Sequence, residues 1–148
     1  MRAAFKQQHI YSGWTRFLDL TSSWGEFNGL RSIIPKALTF SITGYPWMMP
    51  DMVGGNVGGV AFQLDVPEQE LFIRWTQLAM FLPTVQFSLT PWEKEYDITV
   101  QENAIAMAKL RAKYVTPILL DFQQNKNKIG SLEHGFPVTP LLGCSKYP

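Results

Sequence analysis

The hydrophobic pattern of this 148-residue chain alternates short apolar runs with longer amphipathic stretches. Leu38–Thr43 is β-branched and aromatic and is followed by a turn, so it predicts a buried strand. A second strand-like run covers Leu82–Leu89. Between them Glu68–Met80 predicts a helix, with Pro67 at its first position. The apolar positions on one face of that helix are Leu71, Trp75, Leu78 and Ala79.

Two further helical patterns flank these segments. Leu30–Ala37 predicts a helix before the first strand, and Thr99–Phe122 predicts a long one that Pro117 should kink or divide. This order of strands and helices indicates parallel βα units. Because two units leave strand edges and apolar helix faces uncovered, we predict part of a larger α/β barrel. We assign residues 1–123 to it and residues 124–148 to a loop or tail.

Composition narrows the possible partners. With 46% hydrophobic and 17% charged residues the chain is typical of a folded protein. A net charge of +1 with dispersed Lys and Arg argues against nucleic acid as a partner. Leu38–Met49 is interrupted and shorter than the ~20 apolar residues of a membrane helix. The first eight residues lack the apolar core of a signal peptide, so they predict no export route.

The candidate ligand residues do not predict a metal or cofactor site. His9, His134 and the single Cys144 have no metal-ligand spacing, and one cysteine excludes an internal disulfide while leaving the compartment open. The glycines of Gly54–Gly59 lack both the Lys-Ser/Thr of a phosphate loop and the GxGxxG order of a dinucleotide site. We therefore expect no cofactor and no metal.

Aromatic residues make up 14% of the chain and gather in loop-like stretches. These stretches surround Trp14, Trp24, Tyr45–Trp47 and Trp92. An aromatic face packs well against the C–H face of a pyranose, but tryptophan is equally common in a core or at its rim. Both interpretations stay open on composition. The Gly44–Gly59 loop, rigid and apolar, favours the wall of a concave site.

Three ordered segments carry a family resemblance, namely Gly44–Asn56, Glu70–Trp75 and Phe81–Ser88. They resemble the last third of the catalytic barrel of glycoside hydrolase family 31, in the branch that contains α-galactosidases. The resemblance covers roughly Arg2–Leu120, with a weaker echo at Gly135–Val138. It implies that the chain forms the last two to three βα units of a (β/α)8 TIM barrel. It also implies that the barrel hydrolyses a carbohydrate substrate with retention of the anomeric configuration.

The resemblance implies roles for two aspartates. Asp19 is followed five residues later by Trp24, which resembles the acid/base motif of the family, so Asp19 is our general acid/base. The alternative is an N-cap or Asx-turn ahead of Thr21-Ser22. Asp51, in the segment Pro-Asp-Met-Val-Gly-Gly, resembles a residue that shapes the substrate site. Its alternative role is an aspartate held by the turn amides of Gly54-Gly55.

Further substrate-binding residues follow from the same resemblance. Arg2 matches an arginine that contacts substrate in relatives, at a spacing one residue longer, although an exposed arginine is the simpler interpretation. Gln86-Phe87-Ser88 followed by Pro91-Trp92 agrees with the α-galactosidase-like branch. Phe87 then lines the sugar site, or else packs within its strand. Trp47 and Trp92 are candidates for the wall and floor of the sugar pocket.

The family's nucleophile is an aspartate in a Trp-x-Asp-x-Asn/Gly-Glu segment, and no such segment precedes Asp19. The chain is thus expected to be a fragment, inactive by itself, whose covalent partner is the remainder of the barrel. The alternative function is a non-catalytic carbohydrate-binding or scaffold remnant.

Overall fold

A computed structural model describes residues 15–43, 45, 47–56 and 66–124. Within them the order is strand, helix, strand and then three helices. The strands are β1 (Thr15–Arg16) and β2 (Met48–Met49). The helices are α1 (Ile33–Ile42), which a 3₁₀ turn at Leu30–Ser32 precedes, α2 (Gln69–Ala79), α3 (Ile98–Leu110) and α4 (Thr116–Gln124).

The strands lie side by side and parallel. Thr15 pairs with Met48 and Arg16 with Met49, and isolated parallel bridges extend the pairing from Thr21 to Asn56 and from Met52 to Gln86. Three consecutive strand positions therefore run in one direction, with helices between them, as βα units require. The described residues form an open part of such an arrangement and no closed barrel, which agrees with the partial (β/α) barrel that the sequence predicts.

The strand predicted at Leu38–Thr43 is wrong, because the chain there is the second half of α1. The helix predicted at Leu30–Ala37 simply continues. Its buried residues Ile33, Ala37 and Ser41 recur every four positions, a helical period. Thr39 adapts to the helix by donating its hydroxyl to the carbonyl oxygen of Pro35 at 2.8 Å.

Two other predicted boundaries also change. β2 lies inside the stretch predicted as a continuous loop, and Leu82–Leu89 contributes one bridge, at Gln86, rather than a strand. The helix predicted at Glu68–Met80 is confirmed as α2, although Pro67 lies two residues before its first residue. Strand pairing here depends on partners distant in sequence, which local apolar runs do not reveal.

The long helical pattern near the end of the described chain is confirmed, and Pro117 has the predicted effect. A π-helical segment at Arg111–Val115 separates α3 from α4 just before Pro117. Proline cannot donate to the carbonyl four residues earlier, so the helix widens locally. Arg111 secures this point by donating to the carbonyl oxygens of Met80 and Leu82, both at 2.7 Å, and of Pro83 at 2.9 Å.

The main core lies between α2, α3 and the loops that follow the strands. Trp75 and Phe72 of α2 are fully buried at its centre, and the Phe72 ring lies 4.8 Å from that of Tyr96. The other buried members of this core are Leu20, Leu30, Ile33, Val53, Leu71, Ala79, Leu82 and Val100. A second, smaller cluster of Phe17, Ala37 and Met48 joins α1 to the two strands. Within the described ranges, no helix combines the length and apolarity that crossing a membrane requires.

Asp97 caps the N-terminus of α3, and its pKa is held below its ordinary value of 3.8. The causes are hydrogen bonds from the Thr99 side chain, then from Gln69 at 2.7 Å, then from the Thr99 amide at 2.8 Å. A lowered carboxyl pKa contributes stability that is complete above the unfolded-state value and lost as the pH falls through the folded-state value.

We therefore expect Asp97→Asn to make the free energy of unfolding less dependent on pH in acid. The amide oxygen can still accept from Thr99, but it does not ionise. Urea unfolding midpoints measured from about pH 5 down to about pH 2.5 check this, since the difference between the two proteins should shrink over that range. A constant difference would show that ionisation of Asp97 does not contribute.

Candidate active site

The candidate site lies where the parallel strand positions end. Asp19 follows β1 by three residues, and its side chain is 54% exposed. Asp51 follows β2 by two residues and is fully buried. Because β1 and β2 are parallel neighbours, their carboxyl ends, and the two aspartates, lie at the same edge. In barrels of this type the catalytic groups occupy that edge.

Arg16, the last residue of β1, joins the two aspartates. Its Nη1 donates to Asp19 Oδ1 at 2.8 Å, and its Nη2 donates to Asp51 Oδ1. The Arg16 side chain is only 19% exposed. Burial opposes the charge on the guanidinium, but the hydrogen bond that Arg16 donates to Asp19 and the charges of both aspartates prevail and raise the pKa of Arg16. The cation is therefore permanent at any working pH.

Asp51 receives a second hydrogen bond from the chain that carries Asp19. The Leu20 amide donates to Asp51 Oδ2 at 2.7 Å. The buried carboxylate of Asp51 thus accepts hydrogen bonds from Arg16 and Leu20, which precede and follow Asp19 along the chain. The partners shown for Asp51 are therefore Arg16 and Leu20. The alternative interpretation predicts the turn amides of Gly54-Gly55.

The backbone of Asp51 has φ +119°, a conformation that side-chain-bearing residues rarely adopt. Such a conformation costs on the order of 1–3 kcal/mol and is retained where surrounding contacts enforce it. The following turn also has positive φ, at Gly54 and Gly55. A Cβ on Gly55 would lie 2.9 Å from both the Thr21 backbone and the Trp75 ring, so the two loops and α2 meet without room for a side chain.

The helix N-cap alternative for Asp19 is wrong, because the next helical residue in the described chain is Leu30. The Asp19 carboxylate instead accepts a hydrogen bond from Arg16 of β1. The Asp19 side chain is thus bonded to the last residue of β1 and is 54% exposed.

The third loop follows the bridge at Gln86. Phe87 is 37% exposed and its ring centroid lies 6.3 Å from that of buried Phe72, so one side of the ring packs on the core. Trp92 is 60% exposed, which leaves its ring face available for stacking. Gln86 Oε1 is buried with no hydrogen-bond partner among the described residues. Phe87 and Trp92 give this loop exposed aromatic surface.

The remaining predicted site residues are not brought to this edge by the described structure. Trp47 immediately precedes β2, whereas Asp51 follows it. Three residues lie between them, and the four steps along an extended chain span about 13 Å at roughly 3.3 Å per residue. Arg2 lies outside the described residues. The arginine that the structure does place at the site is Arg16.

Sequence reasoning missed Arg16. The Arg16 side chain is only 19% exposed, and a cation with so little exposure needs an anionic partner. The identity of that partner could not be read locally, since Asp51 is 35 residues away along the chain.

The chain is similar to known proteins over most of its length. Residues 1–118 match the family described as "Glycosyl hydrolases family 31 TIM-barrel domain". The chain is 44% identical over 125 residues to the myogenesis-regulating glycosidase of Mus musculus, which covers 82% of this chain and 17% of that protein.

Two further relatives are more distant. The SITS-binding protein of Tetronarce californica is 31% identical over 130 residues, covering 86% of this chain and 17% of that protein. The alpha-xylosidase of Saccharolobus solfataricus is 28% identical over 154 residues, covering 85% of this chain and 19% of that protein. The chain thus spans less than a fifth of the length of each of these relatives.

Proposed function

Because the chain belongs to glycoside hydrolase family 31, we propose that it supplies the acid/base part of a retaining α-glycosidase site that favours α-galactosides. The observation that carries the proposal is the position of Asp19, exposed at the carboxyl end of β1 and fastened through Arg16 to Asp51 at the end of β2. Two of the relatives, a glycosidase and an alpha-xylosidase, are named for glycoside hydrolysis and support the reaction class.

Asp19 would act in two steps. As an acid it donates a proton to the glycosidic oxygen while a nucleophilic carboxylate attacks the anomeric carbon. As a base it then takes a proton from the water that releases the sugar. Retention requires the two carboxyl groups to lie about 5–5.5 Å apart across the bond.

Asp51 is unsuited to be the nucleophile. Its side chain is fully buried, and both its oxygens accept hydrogen bonds, from Arg16 and from Leu20. We assign the nucleophile to a barrel segment other than these 148 residues, whose sequence before Asp19 contains no Trp-x-Asp-x-Asn/Gly-Glu motif. The remainder of the barrel would then be a covalent partner of this chain.

We assign sugar recognition chiefly to the third loop. Trp92 offers an exposed ring for stacking against a pyranose, and Phe87 borders it along the same loop. Gln86-Phe87-Ser88 favours a galactoside over a glucoside, by its resemblance to the α-galactosidase branch. Trp47 and Arg2 remain predicted contacts of the same pocket.

Hydrolysis assays on the full-length product of this gene test the proposal. We expect it to cleave an aryl α-galactoside, and more efficiently than the matching α-glucoside, while the 148-residue chain expressed by itself cleaves neither. Equal or reversed preference would contradict the galactoside assignment. Turnover by the isolated chain would contradict the assignment of the nucleophile to another segment.

A non-catalytic carbohydrate-binding protein is the second candidate. The SITS-binding protein, one of the relatives, is named for binding rather than for hydrolysis. The exposed Trp92 suits either role. Calorimetric titration with galactose separates the two candidates. Saturable binding that Trp92→Ala weakens, in a full-length product without hydrolytic activity, would favour this second candidate.

A further inference from the structure

We propose that Arg16 is a positioning residue for Asp19, anchored by the buried carboxylate of Asp51. This role rests on the proposed function of Asp19 as acid/base. Arg16 need not touch the substrate to perform it, since it acts through the orientation of the Asp19 carboxyl group.

The guanidinium contacts three acceptors at once. Nη1 donates to Asp19 Oδ1 at 2.8 Å and to the carbonyl oxygen of Phe17 at 3.2 Å, while Nη2 donates to Asp51 Oδ1. Because Nη1 and Nη2 are both hydrogen-bonded, the planar guanidinium cannot rotate without breaking at least two hydrogen bonds. Its contact with Asp19 therefore restricts the rotation of an otherwise exposed side chain.

The three charged side chains lie in order from the interior to the surface. The side-chain exposure rises from 0% at Asp51 to 19% at Arg16 and 54% at Asp19. The anchor is thus in the interior, the cation lies between, and the reactive carboxyl faces outward. Asp51 also fixes the backbone next to Asp19 by accepting from the Leu20 amide at 2.7 Å.

The charge balance suits a group that must alternate between two protonation states. Arg16 lies between two carboxylates, so when Asp19 carries a proton the cation still has Asp51 as an ionised partner. Protonation of Asp19 therefore leaves no unpaired cation in a partly buried site, which would be costly. A single Arg–Asp pair without Asp51 would lack this property.

A positioning role and a purely structural role make different predictions across leaving groups. The phenolate of an aryl galactoside is a good leaving group when its phenol is strongly acidic, so it leaves without proton donation. The alkoxide of an alkyl galactoside is a poor leaving group, so cleavage of that substrate depends on proton donation. A misplaced acid therefore harms the alkyl substrate selectively, while partial unfolding lowers both rates equally. The ratio of the two kcat/KM values isolates the positioning effect, because kcat/KM reports on the steps up to cleavage.

The test uses the full-length product with Arg16→Met, Arg16→Lys and the matched control Arg74→Met. Arg74 is an exposed arginine paired with Glu70 on α2 at 2.7 Å. We expect Arg16→Met to lower kcat/KM for methyl α-galactoside by about 10²-fold, and for dinitrophenyl α-galactoside by only a few-fold. Arg16→Lys should restore part of the loss, and Arg74→Met should leave the ratio unchanged.

Equal losses on both substrates would overturn the positioning role while leaving the proposed function intact. No turnover of either substrate by the unaltered protein would contradict the proposed function, and the positioning role with it. If Arg16→Met does not fold, Arg16→Lys decides the question by the same ratio, since a lysine ammonium cannot span both carboxylates as a planar fork. An unchanged ratio in folded Arg16→Lys would then count against the proposal.

Discussion

Replacing Asp19 by asparagine should lower kcat/KM for an alkyl α-galactoside by about 10²–10⁴-fold in the full-length protein. The amide has nearly the shape of the carboxyl group but cannot donate an acidic proton to the glycosidic oxygen. Its effect on a dinitrophenyl α-galactoside should be far smaller, because that leaving group departs as a stable anion. Initial rates over a range of substrate concentrations, for both substrates, measure this difference.

Asp121→Asn is the matched control for that experiment. Asp121 is an exposed aspartate on α4, far along the chain from the strand ends, so the same chemical change should leave both rates unaltered. An Asp19→Asn protein that kept full activity on the alkyl substrate would show that another group donates the proton. A parallel thermal unfolding curve establishes that the variant is folded when the rates are compared.

The largest effect on stability is expected from Trp75→Ala. Trp75 is fully buried in the core between α2 and the loops, and its removal should cost about 3–5 kcal/mol of unfolding free energy. The cavity would open beside Gly55, where an added Cβ would lie 2.9 Å from the Trp75 ring. The loop that carries Asp51 should therefore lose its support together with the core.

Two tryptophan variants serve as comparisons for Trp75→Ala. Trp92→Ala should change the free energy of unfolding by no more than about 0.5 kcal/mol, because that side chain is 60% exposed. Trp75→Phe should cost less than Trp75→Ala, since it fills part of the space and removes an indole N–H that has no partner among the described residues. Urea unfolding of the three variants gives the order directly. Equal midpoints for Trp75→Ala and Trp92→Ala would contradict this account of the core.

The helices were the more predictable part of the fold. The face of α2 that contains Leu71, Trp75, Leu78 and Ala79 follows a period visible in the sequence. Three of these residues are buried, and Leu78 is partly buried against the core. The strands were less predictable because each described strand has only two residues. Thr39 and Ile42, which suggested a strand by their β-branched side chains, are accommodated in α1 because packing of Ile33 and Ala37 determines the local structure.

The candidate site was predictable in its two aspartates and not in the group that connects them. Asp19 and Asp51 were identified by their resemblance to family motifs, whereas their position at one edge follows only from the structure, because the strand before Asp51 is Met48–Met49 rather than the predicted Leu38–Thr43. The contact of Arg16 with Asp51 depends on strand register, which short-range patterns do not encode. An aspartate at φ +119° was equally hidden, since the sequence around Asp51 favours positive φ at its glycines.

The central claim, that Asp19 is the acid/base of a retaining enzyme, is tested most directly by the product that Asp19→Ala forms in azide. With dinitrophenyl α-galactoside the first step needs no acid, and the glycosyl-enzyme then accumulates because no base activates water. Azide needs no base, so it displaces the enzyme carboxylate from the anomeric carbon and restores turnover. The account predicts α-galactosyl azide, identified by NMR spectroscopy. The β-azide would instead identify Asp19 as the nucleophile, and no azide product would contradict both roles.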